Sequence, residues 1–503
     1  MLTIADAVDH ACQHHPSKEA LSCRDTRISY ADFHIRCLRW AGAMQALGLR
    51  PGDRIAVLAM NCHRYVEAFC ALPAAGFVIV PLNYRLAAPE LASILLDSGS
   101  RILITDRDPG HLAQMVERVV RWPDELDNLL ATADPDVVRF PVQRDDLAAL
   151  FYTGGTTGTP KGVMLSHDNI VCNSFHKTIS VGLRSDDVFL AAPAMFHVAG
   201  IAPLLSLMTL GARTVVTASF EPNICLDLIQ EESVTIMMPV PTMLAALVSA
   251  QARQPRDVSS VRLLGHAASP ISTELLRQAV RAFPDVDLAE FYGATETTSI
   301  VTCQHHEEVL VDSDLIRSCG SSVAGVSVRI LDADGADVAA GSIGEVVVQS
   351  RAVMIGYWQN PEATAHAIRN GWYHTGDLAY LDGSGNLFLV DRAKDMIVTG
   401  GENVYSIEVE NVLASHPDVI EVAVFGIPHE RWGEAVHATI VSASTDPALP
   451  ALLMAHCRSH IAGFKVPKSI EIRTESLPTS GPGKVLKRSL RDAFWKNHNG
   501  NIG

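Results

Sequence analysis

No two of the ten cysteines form a CxxC pair, so the chain carries neither the zinc-knuckle nor the dithiol spacing that would make them ligands or redox centres. Scattered thiols of this kind fit a reduced, cytoplasmic protein. Positive charge is also short: 40 Lys and Arg stand against 56 Asp and Glu, a formal net charge of −16. That balance argues against nucleic acid or an anionic membrane as a main partner. The first residues, MLTIADAVDHACQHHPS, show no basic start and no apolar run, so no signal peptide is expected. Charge is absent altogether from Phe189 to Leu210, FLAAPAMFHVAGIAPLLSLMTL. The length would suit a membrane span. But Pro193, Pro203, His197 and several small residues interrupt it, and no basic flank would orient it. The expectation is a buried strand, turn and helix, with no transmembrane segment. Internal repeats and low-complexity tracts are missing too.

What is present is apolar and rhythmic. Hydrophobic residues make up 48% of the 503, enough for a large core divided among several domains or subdomains. Short apolar runs, RIAVLAM (54–60), GFVIVP (76–81), RILIT (101–105), TVVT (214–217) and TIMM (235–238), alternate with stretches of helical spacing such as ELASILL (90–96) and ELLRQAVRAF (274–283). Fully apolar strands separated by helices imply parallel sheets covered on both faces. The predicted fold class is therefore α/β: a large N-terminal domain, residues 1–392, built of parallel-sheet subdomains. From about residue 320 to 392 the segments turn short and β-rich, with Asp334-Gly335 and Asp382-Gly383 as turn signals, which predicts a small antiparallel subdomain. Residues 393–503 read as a compact α+β domain. Its helix starts near Ser406, strands cover 419–426 and 435–441, a helix covers 452–461, a strand 470–473, and a basic helix comes last.

Residues 152–163 read YTGGTTGTPKGV. Glycines let backbone N–H groups approach an anion, and Thr153, Thr156, Thr157, Thr159 and Lys161 add donors and charge, so the stretch is a phosphate-cradle candidate. It is not a Walker A loop: counting from Gly155, the second glycine slot holds Pro160, and Gly162 follows the lysine. A surface turn is the competing explanation.

This stretch does not stand alone. AMFHVAG (194–200), FYGATET (291–297), YHTGD (373–377), VDRAKDMIVTGGENVYSIEVE (390–410) and SGPGKVLK (480–487) follow in order, and GDRIAVLAMN and VPLNYRL precede it. Together they resemble the adenylate-forming superfamily of acyl-CoA synthetases, peptide-synthetase adenylation domains and luciferases, over essentially the whole chain. The resemblance is strongest to a stand-alone acyl-CoA synthetase. It implies two half-reactions: a carboxylic acid and ATP give acyl-AMP and pyrophosphate, then coenzyme A displaces AMP. The implied cofactors are ATP, Mg²⁺ and coenzyme A as acceptor; the implied partner is a small carboxylic acid, and a homodimer stays open.

The resemblance also implies roles. Thr153, Gly154, Gly155, Thr156, Thr157, Gly158 and Lys161 would cradle the β- and γ-phosphates; Gly154 replaces the serine of many relatives. Tyr292 would stack on adenine beside Gly293 and Ala294, Thr295 would bind the α-phosphate, and Glu296 with Thr153 would hold Mg²⁺. The competing explanation for Thr295 is a helix cap. Asp377 would bind the ribose hydroxyls, supported by Arg392; a turn residue and a surface ion pair are the alternatives. His197 would gate the acyl pocket or contact the carboxylate. Lys484 would carry the chemistry of adenylation, bridging carboxylate and α-phosphate; a solvated lysine beside Lys487 and Arg488 is the alternative.

The C-terminal domain would be mobile. It would turn about a hinge at Lys394 to bring Gly401 and Glu402 to the pantetheine tunnel. Trp432 and Lys465 are coenzyme A contacts, or else packing and solvated charge. The acid pocket would be formed by His197, Val198, Gly200, His266, Ala267, Ala268 and Gly293. Ala267-Ala268 stands where many relatives have Gly-Ala, an added methyl that would narrow the pocket or shift the ring plane, and His266 is a pocket donor or a core residue. The segments VAGIAPL, PVPTM, GHAASP and GATETTS are small and apolar, so a monocarboxylic acid with an aliphatic or aromatic body is expected. An amine or a carrier protein is the alternative acceptor.

Overall fold

The computed structural model describes residues 3–153, 160–267, 271, 273–306, 314–392, 395–399, 402–429, 431–479 and 485–495. Its two largest sheets are mostly parallel. One runs, in spatial order, through Ser321–Ser322, Thr302–His306, Asp287–Tyr292, Leu263–Ala267, Ile236–Met237, Val188–Ala191, Arg213–Val216, Glu19–Cys23 and Thr26–Ser29. The other runs through Gly356–Tyr357, Lys161–Ser166, Leu147–Thr153, Val78–Pro81, Arg54–Leu58, Ile102–Thr105 and Arg118–Arg121. Their inner strands, such as VIVP and ILIT, are buried along their whole length. That is why they read as unbroken apolar runs instead of alternating ones.

The uncharged segment becomes the strand Val188–Ala191 and the helix Val198–Thr209. Ten of that helix's residues, Pro203 among them, are buried, as expected of a helix apolar on all sides. Among the described residues no helix is long and apolar enough to cross a membrane. All ten cysteines are free thiols, six of them buried.

A third, antiparallel sheet holds Ser327–Leu331, Gly344–Gln349, Trp372–Leu381, Ile368–Arg369 and Leu387–Arg392. The expected turn at Asp382-Gly383 is present: the Asp382 carboxylate accepts the N–H groups of Ser384 and Asn386, and the left-handed residue that ends it is Gly385, at φ +84°. The last sheet joins Glu402–Val404, Ile397–Thr399, Gly433–Val441, Glu421–His429 and Ser469–Arg473 around its own core of Val409, Leu413, Val424, Val436 and Leu453.

The helix His167–Val181 lies behind the site described below. Ser166 caps it by accepting the Asn169 N–H. His167, at its first turn, accepts the N–H of Ile4 on Nδ1 at 3.2 Å and so satisfies an orphan donor of the helix Ile4–His14. Burial lowers the His167 pKa from 6.5 to about 4. The unfolded chain therefore takes up this proton first, and stability is unaffected above about pH 6.5 but declines as pH falls toward 4. Thermal melts across that window should show the decline. In His167→Asn, whose Oδ1 can accept in place of Nδ1, the slope should flatten by at most about 3 kcal/mol at the acid end.

Candidate active site

Four of the predicted segments leave the same edge of one sheet. Asp287–Tyr292, Leu263–Ala267, Ile236–Met237 and Val188–Ala191 are adjacent and mutually parallel. GATETTS, the start of GHAASP's wall, PVPTM and AMFHVAG therefore follow neighbouring carboxyl ends, where open α/β sheets bind ligands. His266 is buried and Ala267 half-buried at the end of one such strand. Ala268 lies outside the described residues.

Steric closeness shapes the turn after Asp287–Tyr292. A Cβ on Gly293 would sit 1.6 Å from the Ser299 carbonyl oxygen, so only glycine fits. Thr295–Thr297 form a single 3₁₀ turn, and Thr298 and Ser299 follow at φ +57° and +115°. The turn is capped by Thr297, which accepts the Ala294 N–H, so the capping alternative for Thr295 does not hold. Thr298 donates to the Ala352 carbonyl, and Asn173 donates to the Thr297 and Ile300 carbonyls. The backbone strain is thus held from two sides.

The glycine-rich stretch joins Leu147–Thr153 to Lys161–Ser166, an antiparallel pair in which Thr153 faces Lys161. Gly154, Gly155, Thr156, Thr157 and Gly158 lie outside the described residues. Gly162 is pinched between Tyr152 and Trp358, at 3.0 and 3.2 Å from where a Cβ would be, which accounts for the glycine after the lysine. Lys161–Ser166 also packs on the 295–297 turn.

Tyr357 joins these pieces, and sequence reasoning missed it. Its strand pairs with Lys161–Ser166. Its hydroxyl donates to Glu296 Oε1 at 2.9 Å, and its ring lies 5.0 Å from the Lys161 ammonium. Burial and the Glu296 charge both push the Tyr357 phenol well above its ordinary pKa, so it is a fixed donor. No motif carried Tyr357; only the pairing of a two-residue strand reveals it.

Among the described residues no group of three His, Cys, Asp or Glu side chains could enclose an ion. Glu296 with a nearby hydroxyl is the sparse set that suits Mg²⁺, a cation that keeps water and takes ligands from substrate phosphates. The residues present fit that metal.

On the third sheet Asp377, 9% exposed, accepts the Tyr292 hydroxyl at 2.8 Å. It faces Arg392 across the strand pair. Burial first, and Asp377 second, raise the Tyr292 phenol well above its ordinary pKa. Thr375 caps Asp377 by accepting its N–H, which fixes the carboxylate at the strand's bend.

His197 precedes the helix Val198–Thr209, its ring centroid 4.3 Å from that of Phe196. Asn61 accepts the Met195 N–H and donates to the Pro193 carbonyl, which sets the path of the chain into His197. A Cβ on Gly200 would lie 2.2 Å from the Ala194 carbonyl oxygen, so the turn closes only on glycine. Val198 is buried beside it.

Lys484, Lys394 and Gly401 lie outside the described residues. Glu402 is exposed on its strand opposite Thr399. Trp432 stacks on His429 at 4.2 Å, with the Lys468 ammonium 5.4 Å from its ring. Lys465 is not a solvated charge: its ammonium bonds both oxygens of Glu408 at 2.7 Å.

Residues 8–358 match the family described as AMP-binding enzyme, and residues 408–484 the family described as AMP-binding enzyme C-terminal domain. The chain is 39% identical to a feruloyl-CoA synthase of Amycolatopsis sp over 488 residues, 95% of this chain and 96% of that protein. It is 35% identical to the fatty acid–[acyl-carrier-protein] ligase ScoC of Streptomyces coeruleorubidus, over 98% of this chain and 96% of that one. ATP-bound MatB from Rhodopseudomonas palustris superposes with a TM-score of 0.90 at 30% identity, covering 98% of this chain and 99% of that one. The chain belongs to the AMP-binding enzyme family, as an AMP-forming ligase of the adenylate-forming superfamily that includes the acyl-CoA synthetases.

Proposed function

We propose that this ligase activates a monocarboxylic acid with an aliphatic or aromatic body as acyl-AMP and transfers the acyl group to coenzyme A. The observation that carries the reading is the run of contacts that joins Thr153 and Lys161 of one sheet, through Tyr357, to Glu296 just past the carboxyl end of a parallel strand of the other. It supplies cation, hydroxyls and carboxylate together, as a nucleoside triphosphate requires. The loop from Thr153 to Lys161 holds the β- and γ-phosphates. Tyr292 faces adenine, Asp377 and Arg392 hold the ribose, and Thr295 meets the α-phosphate. Glu296 and Thr153 would hold Mg²⁺, which screens phosphate charge when bound.

The acid, guided by His197, attacks the α-phosphorus; pyrophosphate leaves, and Lys484 stabilises the charge that builds on the oxygens between. In the second step the thiol attacks the acyl carbonyl and AMP leaves. Residues 393–503 present Lys484 for the first step and then turn about Lys394 to bring Gly401 and Glu402 to the thiol, with Trp432 and Lys465 near the nucleotide end. For Lys465 that contact requires exchanging Glu408. The similarity to the feruloyl-CoA synthase supports an aromatic acid and coenzyme A; the similarity to ScoC keeps a carrier protein as the second reading. Ten free thiols support a cytoplasmic location.

The test separates the half-reactions. Pyrophosphate release is screened over aliphatic and aromatic acids, then product is followed with coenzyme A, holo carrier protein or amines. Coenzyme A should accelerate turnover and yield a thioester; amide formation with coenzyme A inert would overturn the acceptor assignment. Lys484→Ala should slow adenylation by about 100- to 1000-fold and leave thioester formation from supplied acyl-AMP near normal. Equal loss in both steps would refute the two-conformation reading. Tyr357→Phe removes the donor to Glu296 and keeps the ring under Lys161. It should cost adenylation about tenfold in kcat/KM, the worth of a hydrogen bond to a charged group; an unchanged value would remove Tyr357 from the site.

A further inference from the structure

Lys177 lies on the helix His167–Val181, with no hydrogen-bond partner among the described residues. It is 4% exposed. Among the described residues no carboxylate lies within ion-pair distance of it, and burial alone lowers its amine to about 7. One helical turn before it stands Asn173, 1% exposed. The Asn173 Nδ2 donates to the carbonyls of Thr297 and Ile300, both at 3.3 Å. Its Oδ1 is buried with no partner among the described residues. Both side chains line a buried cavity of about 10 Å³, walled otherwise mainly by apolar groups such as Phe151, Val198 and Ile201, with Thr298 at one side. That volume is about what one water needs, and a buried water needs two to four polar partners. Lys177 supplies a donor and Asn173 an acceptor. Thr298 is already turned away, donating to Ala352.

A buried lysine in apolar surroundings weakens a fold, and a methionine of the same length would pack there at less cost. The arrangement makes sense through what Asn173 holds. The Thr297 and Ile300 carbonyls bracket Thr298 and Ser299, whose positive φ values persist only if neighbours impose them. Thr295 and Glu296 are the residues immediately before.

We propose that Lys177 and Asn173, bridged by one water in this cavity, are positioning residues that fix the 295–300 turn for adenylate formation. Lys177 orients the water, the water orients the Asn173 amide, and the amide clamps the turn from below. The inference rests on reading Thr295 and Glu296 as the α-phosphate and metal residues.

Lys177→Met tests it, with adenylation followed by pyrophosphate release and thioester formation followed from supplied acyl-AMP. Adenylation should slow at least about fivefold, since small displacements of reacting groups are costly. ATP affinity and thioester formation should stay within about twofold, and the melting temperature should not fall. Lys177→Gln, which can still donate to the water, should restore most of the rate. A purely structural lysine would change the melting temperature alone. A smaller loss, or one shared equally by thioester formation, overturns the proposal. A high-resolution crystal structure of the unaltered protein gives an independent reading: a water bonded to both Lys177 Nζ and Asn173 Oδ1 is expected, and its absence overturns the proposal whatever the variants do. Glu296→Gln is the control. If it leaves adenylation intact, the reading of the turn fails; if it abolishes adenylation while Lys177→Met does not, only this inference fails.

Discussion

A backbone that passes too close to itself for any side chain governs this site. At Gly293 the carbonyl of Ser299 occupies the place of a Cβ. The chain leaving the strand Asp287–Tyr292 must therefore double back at once, through two residues with positive φ. That reversal keeps Thr295 and Glu296 at the strand's carboxyl end rather than carrying them off on a helix. It also pairs the two arms of the turn through the backbone: the Val301 N–H bonds the Tyr292 carbonyl, and the Ser299 N–H bonds the Ala294 carbonyl. Such a turn does not hold itself. Asn173, the Ala352 carbonyl and the strand Lys161–Ser166 each grip it from a different part of the chain.

The same economy of contacts sets the local charge. The protein is acidic overall, yet the glycine-rich hairpin brings a cation, Lys161, to the face of Tyr357, and the hydroxyl of that same ring holds the Glu296 carboxylate. An aromatic ring between the two keeps them from collapsing into a direct pair: the ammonium is attracted to the ring face, the carboxylate to the hydroxyl. A polyphosphate with its metal is the kind of ligand that uses a fixed cation and a fixed carboxylate at once.

The fold was legible in the sequence where one physical cause dominates. Apolar runs such as VIVP and ILIT became interior parallel strands because burial on both faces leaves no other pattern. The uncharged 189–210 segment was readable as strand, turn and helix because Pro193, Pro203 and His197 break a span. Thr153, Lys161, Ala267 and Tyr292 likewise fell at strand ends. What stayed hidden were partners set by tertiary pairing. Tyr357 sits on a two-residue strand with no periodicity to betray it. Lys177 looks like a polar residue on an ordinary helix until it is found buried in a cavity wall with Thr298. Glu408, which engages Lys465, lies 57 residues away in sequence.

Lys487 makes the same point at the other end of the chain. Beside Arg488 it reads as part of a solvated basic helix, yet its ammonium bonds Glu410 Oε1 at 2.7 Å and Ser406 Oγ at 2.6 Å. Ser406 in turn donates to Asp391, the buried neighbour of Arg392 on the strand that also aligns Asp377. Glu410, whose pKa burial raises, is kept in place by the Val424 N–H as well as by Lys487. Thr479 pairs with Val485, which joins the two flanks of residues 480–484, and the Leu486 N–H bonds Pro478 beside them. The flanks of residues 480–484 are thus tied, through one lysine and one serine, to the end of the strand that pairs with the one bearing Asp377.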